Sequence, residues 1–214
     1  GRAFFRRILD QLKLVPSWAN AGTQCDLNDE FFADIKWWRT FVVDGGWNGV
    51  SLLPLASDSA PSITIYTDAC KGGYGALTDT EWLRGDWTKE ELSCAERGVS
   101  ISMPWLEFRA IVIAATTWGG RWRGQRVHVM SDCQPAIDAW AKETSPDRGL
   151  ADLIRTLLFL CAMHDFSLTM QHIPGINNTY ADWLSRGQVT HFLASAKTHS
   201  RSPTTPSQPP IRTW

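Results

Sequence analysis

The sequence predicts an α/β fold built on a mixed sheet. Two patterns carry that prediction: three strand-like runs in succession, then helical and strand-like runs in alternation. Ser62 to Asp68 (SITIYTD) is rich in β-branched residues, and Gly73 to Thr78 and Trp82 to Trp87 complete a meander with Asp79–Thr80 as a turn. Pro104 suits the first turn of a helix that runs to about Trp118 in the segment PWLEFRAIVIAATTW. Arg126 to Ser131 (RVHVMS) is the next strand, and helices follow near Pro135 to Lys142 and Leu150 to Met163. Phe166 to Gln171 is the last strand and Thr179 to Ser185 the last short helix. Right-handed crossovers make the later strands parallel to the first.

The flanks read differently. Residues 1–48 are expected to be helical, because Phe4, Phe5, Ile8, Leu9 and Leu12 recur at helical spacing and a second apolar run covers Phe31 to Val43, with Asn28 or Asp29 as its cap. That stretch is too short to be a domain alone, so it is expected to pack on something else. Residues 49–61 read as a linker and 62–190 as the α/β domain. Residues 191–214 read as a disordered tail, since the end of the chain is rich in Ser, Thr and Pro.

Composition excludes several classes. The chain has 214 residues, 43% hydrophobic and 20% charged, which suits a globular protein, and no apolar run is long enough to span a membrane. Arginines interrupt the apolar stretch from Gly1 to Leu14, which lacks a signal-peptide layout, so an intracellular protein is expected, in cytoplasm or nucleus. Five cysteines without a Cys-x-x-Cys pair suggest neither a disulfide framework nor a zinc site. A net charge of −1 argues against gripping nucleic acid by charge alone. Such a role needs bound cations or a neighbouring domain.

Four acidic residues are the candidates for chemistry. Asp68 and Asp132 end strands, where open α/β sheets collect ligands, although an aspartate in that place is as often a turn former or cap. Glu107 lies in a helix that is apolar almost all round, with Arg109 its only other charge. A buried carboxylate must be paired, protonated or bound to metal, and residues two apart on a helix do not face each other, which counts against an Arg109 pair. Asp182 sits about one turn into the last helix, where the macrodipole alone would explain it. Two carboxylates about 4 Å apart repel by roughly 4 kcal/mol at an effective dielectric near 20, so a cluster of four needs cations. Oxygen ligands select Mg²⁺ or Mn²⁺, and a pair of such ions can activate water and stabilise the leaving oxygen of a phosphodiester.

TDACKGGYGAL, WLEFRAIVIAATTW, VHVMSDC and HIPGINNTYADWLSR resemble, in order, the four acidic motifs of the ribonuclease H domain of retroelement reverse transcriptases, of gypsy-type or DIRS-like elements. The resemblance covers about Ser62 to Arg186. GRAFFRRILD and DIKWWRTFVVDGGWNG are similar to the stretch between polymerase and ribonuclease H regions of DIRS-like elements, so residues 1–48 resemble a reverse transcriptase thumb or connection remnant.

The resemblance implies a ribonuclease H-like fold, a five-stranded mixed sheet of order 3-2-1-4-5 flanked by helices. It implies that Asp68, Glu107, Asp132 and Asp182 bind two Mg²⁺ ions, with Mn²⁺ as the other choice, and that His172 is the histidine that assists product release. A structural hydrogen bond is the competing role for His172. Asn178 is assigned to contact the nucleic acid or orient the site. Arg121, Arg123 and Arg126 are the local candidates for phosphate contact, against the commoner reading of such a run as a solvated basic loop. The implied activity is endonucleolytic cutting of the RNA strand of an RNA/DNA hybrid during retroelement reverse transcription. Its partners would be that hybrid and the polymerase region of the same or a parent polyprotein. A degenerate module that binds nucleic acid or tethers polyprotein domains is the alternative. The sequence has no Tyr-x-Asp-Asp motif, so copying is excluded, and no lysine-rich insertion lies between Asp132 and Asp182.

Overall fold

The structure, a computed structural model, describes residues 2–15, 22–39, 43, 62–195 and 201–208. The chain divides into two compact units, Gly1–Gly49 with Thr213–Trp214, and Val50–Arg212. In the first unit, α1 (Arg2–Lys13) and α2 (Asp29–Arg39) pack on each other. Phe4 stacks on Trp37 with ring centroids 3.5 Å apart, and Trp38 Nε1 donates to the Phe4 carbonyl at 3.2 Å. Asn28 caps the start of α2, its Oδ1 accepting from the Phe31 N–H at 2.9 Å. The 49–61 linker lies outside the described residues.

The second unit is organised by its sheet. Strands β1 (Ser62–Ala69), β2 (Gly73–Leu77) and β3 (Glu81–Asp86) form an antiparallel meander. The Thr78 hydroxyl accepts from the N–H groups of Thr80 and Glu81, which holds the turn between β2 and β3. Strand β4 (Arg126–Ser131) pairs parallel to β1, and β5 (Ser167–His172) parallel to β4. These five strands lie in the order 3-2-1-4-5, but the sheet has six strands where five were expected, the sixth bordering β3. The order of the five is the one implied by the resemblance, and in this sense the fold is ribonuclease H-like.

Helices cover the sheet. Helix α4 (Met103–Trp118) is buried along most of its length against β1 and β2, and α6 (Arg148–His164) packs on α4. Ser102 caps α4, Pro104 occupies its first turn, and Asp147 caps α6 through the Leu150 N–H. Helix α5 (Gln134–Lys142) follows β4, and α7 (Thr179–Ser185) lies on β1 and β2. Strand β2 is buried throughout because helices close both of its faces.

Several short elements went unread in the sequence, among them a two-stranded hairpin of Glu96–Arg97 and Ser100–Ile101 and two helices. Helix α3 (Lys89–Ala95) starts with a capping box in which Thr88 and Glu91 satisfy each other's backbone N–H groups. Helix α8 (Val189–Ala194) buries Phe192 against Leu77, Ala181 and Leu184.

The expected disordered tail from residue 191 is corrected for the residues described there. Residues 191–194 belong to α8, and Ser202–Pro203 forms a short strand, β6, parallel to β3. The Ser202 N–H donates to the Thr80 carbonyl at 2.9 Å, and the Thr204 N–H to the Trp82 carbonyl at 2.8 Å. A polar composition limits apolar burial, but an open strand edge offers backbone partners to any sequence.

Two glycines set how closely α7 approaches the sheet. A Cβ built at Gly75 would stand 2.4 Å from the Leu184 Cβ and 2.8 Å from the Ser185 N. A Cβ at Gly73 would meet the Gly85 carbonyl oxygen at 2.5 Å. Gly75→Ala is expected to destabilise the domain by about 1–3 kcal/mol through overpacking against the α7 backbone. Gly120→Ala, where a Cβ meets nothing within 4 Å, is the control and should change little. Urea unfolding of the two variants checks this, and equal midpoints would contradict it.

Candidate metal centre at the carboxyl edge of the sheet

Parallel pairing brings two strand ends level. Tyr66 of β1 is the register partner of Met130 of β4, so two residues further on Asp68 and Asp132 leave the sheet side by side. Helix α4 presents Glu107 to the same place. Carboxylate oxygens of Asp68, Glu107 and Asp132 all lie within 4.8 Å of one another. Asp68 and Glu107 are buried, at 6% and 5% exposure, and Asp132 is half-buried.

Burial and mutual repulsion act on these groups in the same direction. Burial pushes the Asp68 carboxyl up to about 6, and the charges of Asp132 and Asp182 add to it. The Ser185 hydroxyl and the Arg186 charge oppose that rise. Glu107 is held well above the usual carboxylate range, first by burial and then by the Asp68 and Asp132 charges, while a hydrogen bond from the Ala69 N–H pulls the other way. Burial likewise lifts the Cys133 thiol to about 11, so the cysteine beside Asp132 stays protonated at neutral pH.

The ion-pair alternative for Glu107 fails on geometry. The Arg109 guanidinium donates through Nε to Glu91 Oε1 of α3 at 2.8 Å, inside the core. Glu107 Oε2 is buried and has no hydrogen-bond partner among the described residues. A buried carboxylate oxygen without a donor is costly unless a proton or cation satisfies it. Three carboxylates, all oxygen donors, fit a hard divalent cation such as Mg²⁺ or Mn²⁺. Fit to that group therefore rests on the orphaned oxygen as well as on the donor set.

Asp182 stands apart from the three. It lies in α7 and is not in the group that shares 4.8 Å. Its Oδ1 accepts from Arg186 Nε at 2.6 Å. The expected cluster of four is thus three carboxylates with a fourth nearby, close enough to raise the Asp68 pKa and engaged by an arginine one turn on.

The remaining predicted site residues divide. His172 ends β5 opposite Ser131, next to the Asp132 edge, and is exposed. Of the two roles expected for Asn178, contact with nucleic acid or orienting the site, burial at 1% exposure favours the second, and its Nδ2 donates to the Thr67 carbonyl at 2.9 Å. It ties the start of α7 to β1 beside Asp68, which is a structural role. Arg121, Arg123 and Arg126 lie away from the carboxylates. Arg126 pairs with Ser62 at the start of the sheet, six positions before Asp68, or about 20 Å along a strand. Arg121 is paired with Glu81 at 2.8 Å and Arg123 approaches Asp165 at 3.8 Å. Arg121 also lines a cleft of about 250 Å³ with Trp118 and Trp122, and Ser62 at the start of β1 shares it. Basic spacing in the sequence does not say which end of a strand a loop occupies.

Two residues that sequence reasoning missed shape the site. Ser185 donates through Oγ to Asp68 Oδ2 at 2.5 Å. Gly175 lies against Asp132, and a Cβ there would come within 2.9 Å of Asp132 Oδ2. The glycine was visible in the sequence only as part of a turn.

No family model and no curated protein sequence matches the chain. Among solved structures it is similar to RNase H1 from the halophilic archaeon Halobacterium salinarum, at 14% identity over 61% of this chain and 98% of that one, with a TM-score of 0.47. It is also similar to the N-terminal RNase H domain of a Mycobacterium tuberculosis protein, at 17% identity over 59% of this chain and 97% of that one, with a TM-score of 0.41. An RNase H1 isolated from compost by a metagenomic approach gives 17% identity, 62% and 99% coverage and a TM-score of 0.41. At scores this low the likeness decides nothing about chemistry, which has to come from the carboxylates.

The raised Asp68 pKa has a consequence for stability. Its folded value near 6 exceeds the ordinary 3.8, so the folded state holds the proton more tightly. The resulting stabilisation is full below about pH 4 and is lost as pH rises through about 6, a change on the order of 3 kcal/mol. In chelator, the chain is therefore expected to lose more stability between pH 4 and 7 than Asp68→Asn does. Urea unfolding across that range measures the difference, and parallel curves would refute it.

Proposed function

We propose that this domain hydrolyses the RNA strand of RNA/DNA hybrids, with divalent cations held by Asp68, Glu107 and Asp132. One observation carries the reading: three carboxylates converge at the carboxyl edge of a parallel strand pair, and one of them keeps a buried oxygen without a donor among the described residues. Divalent cations, when bound, would polarise the scissile phosphate and lower the pKa of an attacking water. Asp68, Glu107 and Asp132 orient that chemistry by fixing where the oxygens lie. Asp182 supplies a further carboxylate for a second cation once its pairing with Arg186 is given up. His172, exposed at the end of β5 on the same edge, would assist release of the cut product. Selection of RNA would come from its 2′-hydroxyl and the hybrid's groove shape, with little base readout.

The retroelement setting rests on the sequence alone. The H-x-P-G and A-D-x-L-S-R ending, and the helical stretch before residue 49, support a domain that follows a polymerase region in a reverse transcriptase. In that setting the polymerase region is the partner that supplies most of the grip on the hybrid.

One feature favours a second reading, a module that binds without cutting: Arg186 neutralises Asp182. Cutting assays separate the two. Labelled RNA/DNA hybrid, double-stranded RNA and double-stranded DNA are incubated with the chain in Mg²⁺ or chelator. Mg²⁺-dependent cutting confined to the RNA of the hybrid is expected. Asp68→Asn should lower it by more than about 100-fold, the upper end of what loss of a metal ligand's outer partner costs. Hybrid binding with no cutting in any metal would leave the binding module in possession.

A further inference from the structure

Ser185 is the last residue of α7, 117 positions along the chain from Asp68, and is 2% exposed. Its hydroxyl lies 2.5 Å from Asp68 Oδ2 and 2.9 Å from the carbonyl oxygen of Asp182. A hydroxyl carries one proton and can donate it once. The Asp182 carbonyl already accepts from the Arg186 N–H at 3.0 Å, and an ionised carboxylate is the stronger acceptor. The proton of Ser185 is therefore directed to Asp68.

The placement of that hydroxyl is built into the sheet. Gly75 lets the Ser185 N come so near β2 that a Cβ would stand 2.8 Å from it, and a Cβ at Gly73 would be 3.1 Å from the Ser185 carbonyl oxygen. The Cys70 thiol, two residues after Asp68, donates to that same carbonyl at 3.3 Å. Backbone and side chain of Ser185 are thus both seated against the β1–β2 hairpin that carries Asp68.

We infer that Ser185 is a positioning residue for the cation site: by tying one oxygen it fixes the rotation of the Asp68 carboxylate beside Glu107 and Asp132. An aspartate's terminal torsion is broad and roughly two-fold, so without a donor on one oxygen the carboxylate turns freely. A tied carboxylate loses less freedom when it takes up a cation. The inference rests on the cation reading above.

The test uses the full chain and Mn²⁺ alone, followed by titration calorimetry and by the electron paramagnetic resonance of free Mn²⁺, with no nucleic acid present. Ser185→Ala is expected to weaken Mn²⁺ binding by about 10- to 100-fold, as loss of an outer partner of a metal ligand does. Ser185→Thr, which keeps the hydroxyl, is expected to bind within a few-fold of the parent. Thermal melts report whether each variant folds, and Ser185→Cys, with its weak donor, replaces the alanine variant if that one does not. Alanine-variant binding within twofold of the parent overturns the inference and leaves the cation site standing. A parent chain that takes up no Mn²⁺ overturns the cation reading itself, and the role of Ser185 with it.

Discussion

The repulsion among three carboxylates confined at one edge of the sheet is the constraint on which the rest of the site depends. Asp68 and Asp132 come together because β1 and β4 run parallel and in register, so neither can move without slipping the pairing of whole strands. Glu107 is added by a helix whose apolar faces leave it no route to water. The hydrophobic burial of α4 and the ladder between β1 and β4 therefore hold in place an arrangement that the charges oppose. A cation would change the sign of that opposition without moving any element.

Close packing on the opposite side of β2 serves the same end. Strand β2 carries Gly73 and Gly75 where α7 crosses it, and the short distance they allow brings Ser185 to Asp68. Asn178 fastens the other end of α7 to the backbone of Thr67. Asp68 is thus held between two anchored ends of one short helix. On the far side, Gly175 leaves room for Asp132 beside the turn that follows β5. Small residues here decide where carboxylates sit, although they carry no chemistry of their own.

Much of this was legible in the sequence, for physical reasons that differ by element. Strand β1 announces itself by a β-branched run, β4 and β5 by short strand-like runs between helices, and α4 by an apolar stretch too long for a strand, so the mixed sheet and the strand-end positions of Asp68 and Asp132 follow from pattern. Glu107 was legible as a charge in a helix with nowhere to expose it. Proximity across the chain was not. Asn178 reads as a polar turn residue, and only the fold shows it buried against Thr67. Ser185 reads as an ordinary helix end, and its partner lies 117 positions away. Arg121, Arg123 and Arg126 form a basic run whose location depends on strand direction, which sequence spacing does not contain. Residues 201–208 look like a solvated tail because composition cannot reveal that the β3 edge is open to receive them.

The charge distribution bears on how a nucleic acid would be held. The arginines closest to the carboxylate edge are already engaged: Arg186 with Asp182, and Arg84 with Asp86 and the Leu184 carbonyl. The arginines of the 121–126 segment lie at the other end of the sheet. A polyanion approaching the carboxylates would therefore meet like charge, at a cost that grows where water is excluded. Cation occupancy and nucleic-acid binding at this edge are then linked events, each raising the affinity of the other by the same factor. A chain with net charge −1 has little else with which to attract phosphate. Any grip on a hybrid would then come through bound ions and through whatever basic surface stood beside it.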